Sequence, residues 1–235
     1  MSDSTMNGTP VGGSAGRFPA GVVCGVLAAL SGIGMVIAVH GEAFADGLNR
    51  PAVLVASTSY LFIALLQRGL ATGYGRLATA GLVFCFLGDM LGPGSFVAGL
   101  AMFLVAHLFL VAAFAVRGLS WRWTLGAVVP MLLVSGAVFV WVRPHVPPET
   151  LVPVVAYTAV ISLMVVGAAG THGFRPHWVL LIAAIAFYVS DVFVAQWRFV
   201  DPVKTNALFC YPVYYTSCVM FAFSVLPEKG PTAAG

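Results

Sequence analysis

Apolar residues run through this chain in eight long stretches separated by short polar joints, with none of the strict alternation of a half-buried strand. The stretches cover about 20–39, 51–66, 77–91, 96–116, 122–142, 151–169, 177–197 and 206–226. Crossing a bilayer takes about 20 apolar residues per helix, within a range of about 17–25. The pattern predicts an all-α fold: a polytopic integral membrane protein with about eight transmembrane helices. The second and third stretches are short, and a thin or re-entrant pair would also suit them. Arg68, Gly69, Gly73, Gly75 and Arg76 between them favour a true loop, so eight helices are expected. Residues 1–19 are small and polar and predict a disordered tail. The membrane domain is expected over 20–226, with a short C-terminal tail over 227–235. Ala43-Phe44-Ala45 resembles a signal-peptidase site. The run before it exceeds the roughly 7–15 residues of a signal h-region, so a retained first span is expected.

Composition narrows the classes further. The chain is 60% hydrophobic and 8% charged, with a mean hydropathy of +0.98. Soluble domains carry roughly 25% charged residues, so a soluble enzyme is excluded. The net charge of +3 is spread along the joints, and no basic block points to nucleic acid. Cys24, Cys85, Cys210 and Cys218 all fall in apolar runs without metal-ligand spacing, which predicts buried thiols.

The cations orient the helices. If both termini share a side, that side holds Arg17, Arg68, Arg76, Arg117, Arg122, Arg175 and Lys229. The other side holds Arg50, Arg143, Arg198 and Lys204. The excess places both termini in the cytoplasm of a cell that keeps the protein in its inner or plasma membrane.

Two residues break the apolar pattern where it matters most. Asp89 lies within Phe84-Cys85-Phe86-Leu87-Gly88-Asp89-Met90-Leu91, and Asp191 within Ala186-Phe187-Tyr188-Val189-Ser190-Asp191-Val192-Phe193. A carboxylate at membrane depth is expensive, faces a protein interior or a wet cavity, and marks a functional site by default. Counted from Arg76 and His177, both sit about 20 Å from the cytoplasmic ends of their helices. Equal depth on parallel helices lets them share one cavity. A small residue, Asp and two apolar residues recur in Gly88-Asp89-Met90-Leu91 and Ser190-Asp191-Val192-Phe193, a pattern that allows a parallel four-helix duplication. The carboxyls can be structural, a proton or ion relay of a transporter, or an intramembrane acid–base pair.

Other polar residues have local alternatives. His107, in Val105-Ala106-His107-Leu108-Phe109, can be a hydrogen-bonded interior residue or part of a site. Tyr157 has the depth to reach a carboxylate. Ser57, Thr58 and Ser59 are expected to bond their own backbone. Tyr211, Tyr214 and Tyr215 open the eighth helix, where an aromatic belt accounts for them. Arg50, before Pro51, can be a surface anchor or can meet a phosphate at the outer mouth.

These residues carry a resemblance. Gly81-Leu82-Val83-Phe84-Cys85-Phe86-Leu87-Gly88-Asp89, the run Phe96–His107 closing near Phe114, Ala156–Met164, and Phe187-Tyr188-Val189-Ser190-Asp191 followed by Phe199 resemble the YhhN/TMEM86 family of membrane lysoplasmalogenases, in order and spacing, over about 50–226. The family usually has Lys-Pro where this chain has Arg50-Pro51, and often a Gln after its Tyr-Tyr pair, where this chain has Thr216, Ser217 and Cys218. The resemblance implies hydrolysis of the vinyl ether of a lysoplasmalogen to a fatty aldehyde and a glycerophospho-head-group product. It implies Asp89 and Asp191 as the catalytic acid–base pair. His107, Tyr157, Arg50, Ser190 and Tyr214 would bind or position the substrate. The expected partners are a lysophospholipid and the surrounding membrane lipids. The chemistry demands neither cofactor nor metal, and no His/Cys/Asp ligand spacing indicates one.

Overall fold

A computed structural model describes residues 49–225 apart from 204, together with helical positions between 22 and 33. The expected tails, Cys24 and the Ala43-Phe44-Ala45 segment lie outside the described residues. The chain is all-helical where described. The helical positions between 22 and 33 belong to α1. They are followed by α2 (Asn49–Leu66), α3 (Gly73–Leu91), α4 (Phe96–Arg117), α5 (Trp121–Val142), α6 (Pro148–Phe174), α7 (Trp178–Ala195) and α8 (Asn206–Ser224). A 3₁₀ turn, Arg143–His145, ends α5, and a π-helical turn, Gln196–Val200, continues α7. Six of these helices, α3 to α8, are long and apolar enough to cross a membrane. This is a multi-pass membrane protein. The short second stretch stays short: α2 is apolar only over Arg50–Leu66.

Side chains close the open backbone donors where helices begin. Thr72 accepts from the N–H of Gly75 at 2.9 Å, Ser95 from Ala98 at 3.3 Å, and the His177 ring from Leu180 at 3.2 Å. Each bond satisfies one of the first-turn N–H groups that no helical carbonyl can reach.

The helices pack as a closed ring. Around it run α2, α3, α4, α6, α7 and α8, and α8 returns to α2. α5 stands outside against α6, and α1 lies along α8, with Ala28 and Gly32 beside Pro212 and Tyr215. Only 11% of the most apolar part of α5 is buried in the protein, against 50% for α8. Leu132, Leu133, Val129 and Val140 of α5 are exposed, as a helix bathed in lipid requires. Lipid tails are as apolar as leucine, so helices associate through close packing rather than through the hydrophobic effect. The core accordingly uses small residues: Ala56, Ala78, Ala106, Ala113, Ala168, Ala183 and Ala222 are buried in it. The tightest pair is α3 with α4. A Cβ on Gly99 would stand 2.7 Å from the Gly92 Cα, and one on Gly88 would stand 2.7 Å from the Phe103 ring. Side chains at these positions would force the hairpin apart beside Asp89.

Candidate active site

Asp89 and Asp191 lie near the C-terminal ends of α3 and α7, two and four residues from those ends. The turn after α3 and the turn after α7 are neighbours. The Arg198 guanidinium sits 4.9 Å above the Phe96 ring, and Phe199 meets the same ring edge-on at 5.5 Å. Both carboxyls therefore belong to one end of the ring. Their depths are less equal than the sequence count implied. α3 begins at Gly73 rather than Arg76, and His177 caps α7 from outside. Measured from the helix starts, Asp89 is 16 residues in and Asp191 is 13, a difference of about 5 Å in rise.

Hydroxyl groups hold each carboxyl. Ser57 and Tyr60 of α2 and Tyr214 of α8 donate to the same oxygen, Oδ2 of Asp89, at 2.5, 3.1 and 3.0 Å. Tyr157 of α6 donates to Oδ2 of Asp191. The plan repeats. In each half a tyrosine on one helix bonds the aspartate on the next: Tyr60 to Asp89, Tyr157 to Asp191. Both aspartates are half-buried as whole residues.

An aromatic layer links the two groups. His107 of α4 lies edge-to-face with Tyr157 at 5.4 Å and with Phe187 at 4.6 Å. Phe187 meets Tyr214 at 5.3 Å, and Phe103 touches Phe187 and Tyr214 at 6.4 and 5.8 Å. A path of ring contacts runs from the Asp191 partner Tyr157, through His107 and Phe187, to the Asp89 partner Tyr214. His107 is fully buried, with Nδ1 2.6 Å from the Phe103 carbonyl oxygen.

The structure sorts the sequence candidates. Asp89, Asp191, His107, Tyr157 and Tyr214 come together. Ser190 is peripheral: its hydroxyl donates to the Phe187 carbonyl at 2.7 Å and reaches Asp191 Oδ1 only at 3.5 Å. Arg50 is exposed in the first turn of α2, outside these contacts. It precedes Ser57 by two helical turns, which puts it on the same stripe of α2 about 10 Å away along the axis. Ser57 departs from the local reading because it bonds Asp89 across the helix interface. Ser59 follows it, donating to the Val55 carbonyl at 2.7 Å. Tyr214 and Tyr215 are buried core residues rather than an interfacial belt. Tyr60 escaped the sequence reading. Its signal was phase, three residues after Ser57 on the same helical face. Cys85, Cys210 and Cys218 are buried free thiols. Among the described residues, no three His, Cys, Asp or Glu side chains converge as a metal ion would require.

The YhhN family model matches residues 49–225, the whole span from α2 to the end of α8. The chain belongs to the YhhN family. Curated relatives carry activity names. It is 30% identical over 186 residues to lysoplasmalogenase TMEM86A of Bos taurus, covering 69% of this chain and 73% of that protein. It is 28% identical over 193 residues to lysoplasmalogenase TMEM86B of Homo sapiens, covering 79% and 80%. A lysoplasmalogenase of Mycobacterium tuberculosis is 33% identical over 126 residues, covering 52% and 46%. No solved structure matches the chain. The blocks that carry the YhhN resemblance bring both aspartates, His107 and Tyr157, while Ser57, Tyr60 and Tyr214 come from outside them. Gly81–Asp89 and Phe96–His107 form the α3–α4 hairpin, Ala156–Met164 brings Tyr157, and Phe187–Asp191 brings the second aspartate.

Proposed function

We propose that this YhhN protein is a lysoplasmalogenase, cleaving the vinyl ether of a lysoplasmalogen with Asp89 and Asp191 as its acid–base pair. The observation behind this is a pair of tyrosine-held carboxyls at one end of the helix ring, in a chain whose relatives are named for that activity. One carboxyl delivers a proton to the alkene carbon distal to the ether oxygen. The adjacent carbon becomes an oxocarbenium ion. The second carboxylate stabilises this cation and takes a proton from the water that adds to it. The resulting hemiacetal collapses to a fatty aldehyde and the free glycerol hydroxyl, and both carboxyls regain their starting protonation. Two such carboxyls titrate as a unit, so acid and base are assigned to the pair. Product formation by detergent-purified protein, followed by mass spectrometry over a lysolipid panel that includes the vinyl ether, tests the reading. Hydrolysis of the lysoesters but not of the vinyl ether would reject it.

The mechanism needs one carboxyl protonated and one ionised, so activity is expected to fall on both the acid and the alkaline side of an optimum. A stopped assay across buffers of constant ionic strength measures this. A profile that only rises or only falls would leave room for just one titrating carboxyl.

Arg50 is assigned to the phosphate of the head group, from its place on the Ser57–Tyr60 stripe at the mouth end of α2. A contact made equally in ground and transition states affects binding alone. Arg50→Ala is therefore expected to raise KM about 10-fold with kcat nearly unchanged, close to the lower end of the range for a charge-assisted hydrogen bond. An unchanged KM would make Arg50 a surface anchor.

The membrane arrangement we infer has eight spans, with both termini cytoplasmic and the aspartates in the outer half of the bilayer. The cation distribution supports this orientation. The ring maps onto itself by a step of four helices, exchanging α2 with α6, α3 with α7 and α4 with α8, which supports a parallel duplication. Reporter fusions after Gly235 should show a cytoplasmic C-terminus. A lumenal or periplasmic signal would move the site to the other leaflet.

A further inference from the structure

The one ring in the aromatic layer that can hydrogen-bond at both edges uses only one of them. His107 Nδ1 lies 2.6 Å from the Phe103 carbonyl oxygen. A carbonyl only accepts, so Nδ1 carries a proton, and in the neutral ring Nε2 is then a bare lone pair. Nε2 is buried and has no hydrogen-bond partner in the protein. The neighbouring rings offer it nothing. Phe187 has no polar atom, and the Tyr157 hydroxyl is committed to Asp191. A buried acceptor left open is costly, and in a native site it needs a reason. Here it stands one ring away from a catalytic carboxyl, so an incoming molecule that supplies a hydroxyl donor would satisfy it.

We propose that His107 Nε2 accepts a hydrogen bond from the free glycerol hydroxyl beside the vinyl ether, and that this bond selects lyso substrates over their acylated counterparts. This rests on the lysoplasmalogenase reading above. The hydroxyl is the chemical feature that separates a lysolipid from its diradyl parent. Acylation replaces the donor with an ester, whose oxygens only accept. An ester would set acceptor against acceptor in a buried place, in addition to any steric clash. Sites that hydrogen-bond a substrate hydroxyl can reject an analogue lacking it by about 10⁴–10⁵-fold, because the protein group is left unpaired. His107 is then a specificity residue, and its neutral tautomer is fixed by the Phe103 carbonyl.

The test is a cycle between the residue and the substrate hydroxyl. Purified wild-type protein, His107→Leu and His107→Gln are each given the 1-alkenyl lysolipid and its 2-deoxy analogue, and kcat/KM is measured by aldehyde release. Wild type is expected to prefer the hydroxylated substrate by at least about 100-fold, a conservative fraction of the range above. In His107→Leu the preference should collapse to about threefold or less, mainly through loss of the hydroxylated substrate's advantage. His107→Gln offers a side-chain oxygen and should recover part of the preference. Equal losses on both substrates, with the preference intact, would mean that His107 serves the attacking water or the fold, and the proposal would be wrong. A wild type that hydrolyses the deoxy analogue as fast as the parent overturns it without any variant. No aldehyde from either substrate would instead reject the lysoplasmalogenase reading itself, and this inference with it.

Discussion

Asp89→Asn and Asp191→Asn are each expected to abolish vinyl ether hydrolysis in protein that remains folded. Asparagine keeps the shape, and its oxygen can still accept from the hydroxyls that now hold Oδ2 of each aspartate. It loses proton transfer and negative charge. General acid–base catalysis is typically worth about 10²–10⁴-fold. Loss of the charge facing the oxocarbenium ion adds to that, so residual activity should fall below about 1%. The two carboxyls act as a unit, and such effects are far from additive. The double variant should therefore be little worse than either single one. Gel filtration and thermal melting report folding, and aldehyde release reports activity. A single variant with near-full activity would break the pair.

The next largest effect is expected at Tyr157, and it follows from an asymmetry. Asp89 takes three hydroxyl donors on one oxygen, whereas Asp191 has one strong donor, Tyr157, and a distant Ser190. Tyr157→Phe removes that donor and leaves the ring that packs against His107. A hydrogen bond to a charged group is worth about 1.5–3 kcal/mol, so kcat should drop about 10–100-fold. Ser57→Ala, Tyr60→Phe and Tyr214→Phe each leave Asp89 two donors, and each should cost less than about tenfold. The ranking is the test. If Tyr214→Phe were the more damaging change, Asp191 would not depend on Tyr157 as the geometry implies.

The parts of the site that were legible in the sequence share a physical origin. A carboxylate inside an apolar helix has no cheap local solution, so Asp89 and Asp191 announce themselves. Tyr157 was legible through depth, because the helical rise places it level with a carboxyl. Hydroxyls are different, since they can be satisfied within their own helix. Ser57 and Ser59 are two residues apart in one helix, yet Ser59 bonds Val55 and Ser57 crosses to Asp89. Only the packing of α2 on α3 decides between them. Tyr214 and Tyr215 mislead for a related reason. Tyrosine near a helix start suits an interface, but α8 begins at Asn206, so Tyr214 lies about 12 Å along it. α3 starts at Gly73, ahead of the apolar run that begins at 77, because Thr72 caps it there, whereas α4 and α7 start within a residue of their runs. The closed ring was not legible at all, since nothing along the chain says that α4 neighbours α6 while α5 stands outside.

In the proposed reaction the protein protonates an alkene carbon and then adds water. Hydrolysis of an alkenyl lysolipid in D₂O, with immediate reduction of the aldehyde to the alcohol and mass analysis, tests it most directly. One solvent deuterium is expected on the carbon next to the former carbonyl with wild-type protein, and no product with Asp89→Asn or Asp191→Asn. An aldehyde-derived alcohol free of that deuterium, or formed equally well by either variant, would contradict it.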